Sequence, residues 1–244
     1  MKPEHIEGKV GKDVEAVCWC ANESSTGVFS DSVAISKAVS EQNPDALKIV
    51  DAVTAAYTKD LRVKDMDADA IIFGSQKALA LPPGLAIMLC SERMLEKAKT
   101  VKNRGFYTDL LKIKKQSDVN YALTTPPVSL MYGLDHQLDK MLKEGMTNLY
   151  ARHDEMSRLC EDWADKKLAG VFPEAGYRSK GISVLNRGDL DFDDFHKKLK
   201  AKGYEISNGY GEVKEKTFRI GHMGDVTPAG VKELLAAMDS IMEE

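Results

Sequence analysis

The sequence predicts an α/β fold, with a large, mainly parallel sheet covered by helices and a smaller α/β domain at the C-terminal end. Three observations carry this. Apolar runs at Glu15–Cys20, Lys48–Val53 and Ala70–Phe73 include intervening segments of helical spacing, the strand–helix–strand rhythm of a parallel sheet. Beyond Gly145–Asn148 the later pattern is one of short strands separated by turns, at Gly181–Asn186, Tyr204–Ser207 and Lys216–Ile220. A chain of 244 residues with 43% apolar content can bury a sizeable core and divide unequally, here into 1–147 and 148–244.

In chain order, Pro3 to Gly11 reads as the tail of a short helix, Glu15-Ala-Val-Cys-Trp-Cys20 as a buried strand and Asn22 to Gly27 as a polar loop. Ser32 to Glu41 places Val33, Ile35, Ala38 and Val39 at helical spacing, and Lys48 to Val53 is the next strand. Ala70–Phe73 and Leu85–Ser91 are two further buried strands, flanking a turn marked by Pro82-Pro83-Gly84. Glu92 to Lys102 follows, with Arg93, Lys97, Lys99 and Lys102 forming a solvated helix face. Met131, Leu134, Leu138, Met141 and Leu142 keep helical spacing up to Gly145, and Leu149, Met156, Leu159, Cys160 and Trp163 repeat it; both stripes are expected in the core. The closing helix is N-capped by Thr227, has Pro228 in its first turn and carries Val231, Leu234, Leu235, Met238 and Ile241 on one face.

Charge narrows the function. Lys and Arg number 34 against 38 Asp and Glu, a net −4, with the signs interspersed, so no basic face argues for nucleic acid or lipid. The N-terminus has no apolar signal core, and no run approaches the roughly 20 apolar residues that cross a bilayer. Cys18, Cys20, Cys90 and Cys160 lack CxxC or zinc spacing and read as reduced, mostly buried thiols. A soluble cytoplasmic enzyme acting on small molecules fits.

The chemistry centres on Lys77, which Ser75-Gln76 delivers just after an apolar strand ends at Gly74. A lysine in a loop is ordinarily solvated, but 26 positions earlier the run Lys48-Ile-Val-Asp-Ala-Val53 ends on an acid, Asp51. Both would lie at the ends of neighbouring strands, where open α/β sheets bind ligands. Taken alone, Asp51 also reads as the cap of the following turn, Tyr121 as packing and Arg219 as a surface arginine.

With Asn22-Glu-Ser-Ser-Thr-Gly27, Tyr121-Ala-Leu-Thr-Thr-Pro126, Val128-Ser-Leu-Met-Tyr132 and Phe218-Arg-Ile-Gly-His-Met-Gly224 in the same order, the sequence resembles the class V aminotransferases, the alanine:glyoxylate, serine:pyruvate and aspartate type, from about Pro3 to the C-terminus. The resemblance implies the fold type I of transferases dependent on pyridoxal 5′-phosphate, with an incomplete large domain, and transfer of an amino group between a small amino acid and a 2-oxo acid. It implies that Lys77 holds the cofactor as a Schiff base and moves the proton, and that Asp51 faces the ring nitrogen. It further places Val53 on a ring face, Ser25 and Thr26 near the phenolic oxygen, and Gln76 at the phosphate. Tyr121 and Thr124 would reach that phosphate from an adjacent subunit, so a dimeric assembly shares its sites, and Arg219 would grip the substrate carboxylate. Where the family commonly has His at the head of the first block, this chain has Ala21. His222 is left as a structural histidine.

The resemblance begins in the middle of the family's large domain, leaving its phosphate-binding loop, its ring-stacking aromatic and several strands without counterpart. A sheet lacking them exposes an edge and an apolar face, so a second polypeptide carrying the N-terminal half is expected. A non-catalytic regulatory or assembly subunit and a fragment of a longer gene are the alternatives.

Overall fold

The computed structural model describes residues 1–243. After a short 3-10 turn at Pro3–His5, the elements are β1 (Ala16–Cys20), β2 (Asn22–Glu23), β3 (Val28–Phe29), α1 (Ser32–Gln42), β4 (Leu47–Asp51), α2 (Val63–Met66), β5 (Ala70–Gly74), β6 (Ala86–Cys90), α3 (Glu92–Thr100), α4 (Leu110–Ser117), α5 (Val128–Glu144), α6 (Met146–Lys167), β7 (Ile182–Asn186), α7 (Phe192–Ala201), β8 (Ser207–Asn208), β9 (Thr217–Gly221) and α8 (Pro228–Met242). The larger sheet has the order β1-β4-β5-β6. The pairs β1–β4 and β4–β5 are parallel, as expected, whereas β6 runs antiparallel to β5. The connection between β5 and β6 is too short for the crossover that a parallel neighbour needs. The smaller sheet, β7-β9-β8, is antiparallel throughout.

Two apolar cores result. Trp19, Ile35, Val39, Val50, Met66, Ile71, Phe73 and Leu79 form the first, around the larger sheet. Phe192, Phe195, Leu199, Phe218, Ile220, Leu235 and Met238 form the second, between the smaller sheet, α7 and α8. One helix joins them: α6 places Leu149 in the first core and Met156, Cys160 and Trp163 in the second. Gly145, at φ 84°, is the single residue between α5 and α6, a left-handed position suited to glycine. Thr227 caps α8 as expected, its hydroxyl accepting from the Gly230 N–H.

Several expectations fail, most of them for one reason. The Glu15–Cys20 run was expected to be a buried strand, yet of β1 only Trp19 is buried; β6 has no fully buried residue, and Leu89 is 47% exposed. Both are border strands with no neighbour on their outer side. Cys18 and Cys90, which lie on them, are therefore exposed and only Cys160 is buried, against the expectation of mostly buried thiols. The Met and Leu stripe of α5 is likewise half outside: Met141 is buried, but Met131 is 48% and Leu142 71% exposed. Arg93 is exposed on α3 as expected, yet it is not merely solvated. Its guanidinium pairs with the buried Asp69 and donates to the Pro44 and Ala46 carbonyls, tying α3 to the amino-terminal ends of β4 and β5. The run Tyr204–Ser207 shrinks to Ser207–Asn208, while α2, α4 and α7 stand where no helix was expected. No helix among the described residues is long and apolar enough to cross a membrane.

His222 is fully buried, its Nε2 2.8 Å from the Ser183 hydroxyl, and burial holds its pKa down at about 3. His153 on α6, also fully buried, is shifted down by the same cause. A histidine that titrates lower when folded stabilises the fold fully above its unfolded value of 6.5 and loses that contribution as pH falls towards 3. Stability should therefore drop on acidification by up to about 1.4 kcal/mol per pH unit for this group. His222→Gln should flatten that slope in urea titrations; an unchanged slope would place the acid lability elsewhere.

Candidate active site

The carboxyl ends of the parallel strands set the site. Register aligns Cys20 on β1 with Asp51 on β4, and Asp51 with Ile72 on β5, so the segments after Cys20, Asp51 and Gly74 leave the same edge of the sheet. The Asp51 side chain is exposed, with Oδ1 accepting the Val53 N–H at 2.8 Å and Oδ2 3.8 Å from Cys20 Sγ. The turn-capping bond is therefore present, and it leaves the carboxylate open towards solvent. Val53 is half-buried just beyond it.

Lys77 sits on a tightly sewn turn. Ser75, fully buried, donates its hydroxyl to the Pro82 carbonyl at 2.7 Å and accepts the Leu85 N–H, while the Leu81 N–H returns to the Ser75 carbonyl at 3.1 Å. The Ala80 N–H closes on the Lys77 carbonyl at 2.9 Å, with Ala80 held at a left-handed φ of 53°. Lys77 itself is half-buried, less enclosed than its expected place between two buried strands, because β6 is open. Gln76, beside it, is exposed. From the other side, Gly224 fits against the turn: a Cβ there would meet Ala80 Cβ at 3.0 Å and the Lys77 carbonyl at 3.5 Å. Arg152 holds this approach, donating to the Gly224 and Val226 carbonyls at 2.9 and 2.6 Å and forking onto Glu144.

Arg219 on β9 is half-buried and enters from the smaller sheet. Its Nε donates to the Asn208 carbonyl at 2.9 Å, its Nη1 to the Ser24 carbonyl at 3.5 Å, and its guanidinium lies 5.7 Å from the Tyr210 ring. The loop carrying Ser25 and Thr26 thus meets the arginine through its backbone. The Ser25 hydroxyl is taken up locally by Glu23 at 2.8 Å, whereas Thr26 is half-buried. Gly27 has a left-handed φ of 69° and is pressed against the smaller domain: a Cβ would meet Val184 Cγ2 at 2.7 Å. The close approach this glycine permits is therefore to the chain itself.

Tyr121 and Thr124 are not brought to this cluster. Both are exposed and line a separate groove of about 920 Å³ with Leu123, Pro126 and Met131, ahead of α5. Three residues near the strand ends went unsuspected. Cys20 touches Asp51, Ser75 frames Lys77, and Asn22, only 5% exposed, has neither its amide nitrogen nor its oxygen paired among the described residues. Such a buried amide calls for a polar partner from outside. Asn22 and Ser75 stand inside stretches that the sequence singles out, but their contacts, like that of Cys20, are not readable from it.

Among the described residues no acid pairs with Lys77 or Arg219 and no base with Asp51.

Residues 1–221 match the family model described as Aminotransferase class-V. The chain is 32% identical over 245 residues to an L-aspartate–glyoxylate aminotransferase of Paracoccus denitrificans, covering 99% of this chain and 62% of that protein. It is 30% identical to the soluble hydrogenase 42 kDa subunit of Anabaena cylindrica, again over 99% of this chain and 63% of the relative. Among solved structures, pyridoxamine-pyruvate aminotransferase from Mesorhizobium loti aligns with a TM-score of 0.89 at 26% identity, covering 99% of this chain and 62% of the other. The chain thus spans less than two thirds of the length of these proteins.

Gly27→Ala should destabilise the fold by about 1–3 kcal/mol, since it adds both a left-handed strain and a contact with Val184 that must yield. Chemical denaturation would measure it, and a neutral effect would show the contact to be soft.

Proposed function

This chain belongs to the class-V aminotransferase family, and we propose that it forms the C-terminal part of an aminotransferase moving an amino group between a small amino acid and a 2-oxo acid. Members of this family use pyridoxal 5′-phosphate. The observation that carries the proposal is that Asp51 and the Lys77 turn leave the same end of the parallel strands, while Arg219 on β9 reaches the Ser24 carbonyl in the loop that follows β1. The relatives named as aminotransferases support the reaction class, with aspartate, alanine or serine as donor and glyoxylate or a related oxo acid as acceptor.

The residues present fit the cofactor. An open carboxylate, an unpaired amine and the unpartnered amide of Asn22 offer the kinds of group that a protonated ring nitrogen, an aldehyde and a phenolic oxygen take up. When bound, pyridoxal phosphate supplies an electron sink for negative charge developing at the substrate Cα. Lys77 Nζ would hold the aldehyde carbon and carry the Cα proton, and Asp51 would keep a proton on the ring nitrogen. Arg219, already aligned by the Asn208 carbonyl, would receive the substrate carboxylate on Nη2 and the remaining N–H of Nη1. Val53, Ser25, Thr26 and Gln76 complete our binding set, with Tyr121 and Thr124 reaching a neighbouring subunit.

We place the large-domain portion at 1–147 and the small domain at 148–244. A second polypeptide supplying the N-terminal half would cover the open borders of β1 and β6, and the exposed apolar residues of α5 suit a dimeric assembly. Four free cysteines fit the reducing cytoplasm.

Co-purified with the half that closes the sheet, the protein should bind pyridoxal phosphate with a visible absorption band, and Lys77→Ala should abolish it. Borohydride reduction and peptide mapping should put the cofactor on Lys77; any other lysine sinks the assignment, and a colourless complex favours an assembly role. Arg219→Lys should raise KM for amino and oxo acids roughly tenfold with the cofactor spectrum intact, because a point charge replaces a planar fork. Equal KM values would remove Arg219 from the site.

A further inference from the structure

We infer that Cys20 positions the Asp51 carboxylate, donating its S–H to Oδ2 so that, with the Val53 N–H on Oδ1, both oxygens are held at the carboxyl edge of the sheet. The contact stands on geometry alone; its importance for a ring nitrogen rests on the function proposed above.

Cys20 and Asp51 are paired in register on adjacent parallel strands, β1 and β4, so their side chains leave the sheet on the same face. Sγ lies 3.8 Å from Oδ2, within reach of a sulfur hydrogen bond, and the Val53 N–H approaches Oδ1 at 2.8 Å. The terminal torsion of an aspartate is broad and soft, and one bond leaves the carboxylate free to pivot about it. A second donor on the other oxygen fixes its plane. Each carboxylate oxygen keeps a further lone pair, and Asp51 is exposed, so a donor arriving from outside still finds an acceptor.

The thiol is suited to this task because it stays neutral. Partial burial raises its pKa first, and the charges of Asp51 and Glu23 raise it further, so Cys20 remains an S–H donor at neutral pH and adds no second negative charge beside Asp51. Valine would fill the space and donate nothing. Serine would donate more strongly.

The first test uses the whole chain without cofactor. Iodoacetamide modification of each cysteine is followed by peptide mapping in the parent and in Asp51→Asn. Removing the carboxylate charge should free the thiolate, so alkylation of Cys20 at neutral pH should rise about threefold or more while Cys18 and Cys90 react as before. An unchanged Cys20 rate in a folded variant overturns the inference. If Asp51→Asn does not fold, as judged by circular dichroism, the decision passes to Cys20→Val and Cys20→Ser in the cofactor-loaded complex. There the pH dependence of the cofactor absorption should be displaced by Val and restored by Ser; a Val profile equal to the parent's overturns the inference. A complex that never takes up cofactor refutes the proposed function, and in that case the alkylation rates, with Asp51→Ala as the substitute variant, decide the Cys20 contact.

Discussion

The segment from Ala21 to Ser30 is a bracket that both sheets share, and the arrangement of the site depends on it. On one side the Ala21 N–H donates to the Asp51 carbonyl at 2.8 Å, continuing the β1–β4 ladder past its last pair. On the other, the Phe29 N–H donates to Tyr177 and the Gly27 carbonyl accepts from Ser179 at 2.9 Å, both in the approach to β7. Arg219 reaches across to the Ser24 carbonyl. This bracket is one of the links that set the distance between Asp51 and the arginine. Backbone groups make these links, and Gly27 is the residue among them pressed most closely against the smaller domain.

The second half of the frame is the Lys77 turn, held from three directions. Ser75 sews it internally, Gly224 presses on it from the strand end that carries Arg219, and Gln137 on α5 donates to the Ala80 carbonyl at 3.4 Å. Arg152 couples the last two contacts, because its guanidinium joins Glu144 at the end of α5 to the backbone after β9. Charge-assisted hydrogen bonds to backbone carbonyls are among the stronger local constraints available to a chain. The lysine is thereby fixed by its backbone while its amine stays free.

The alternation of strands and helices was legible because the strands of the larger sheet are mostly apolar runs, interrupted in β4 by Lys48, and Asp51 and Lys77 could be placed at or just past strand ends for the same reason. Burial was not legible where it depends on neighbours: the β1 and β6 runs are apolar enough for an interior, and only the strand order shows that they are borders. The helix α7 could have been found, since Asp191 caps it and Phe192, Phe195 and Leu199 keep helical spacing. No residue of α4 is fully buried, and its eight residues are fewer than the window over which helical periodicity is read. Arg93 looked like one cation among four because its partner, Asp69, is 24 positions away. Cys20 was hidden likewise, since a register pairing cannot be read from composition.

A four-strand sheet with both borders unpaired imposes a geometric condition on whatever completes it. A strand seated beside β1 and another beside β6 would stand five spacings apart, roughly 24 Å. They cannot be consecutive strands of a hairpin, and the link between them must travel over one face of the sheet without threading the chain. A single chain that supplied both strands would therefore wrap the sheet rather than dock on one border, and its release would require unpairing at both ends.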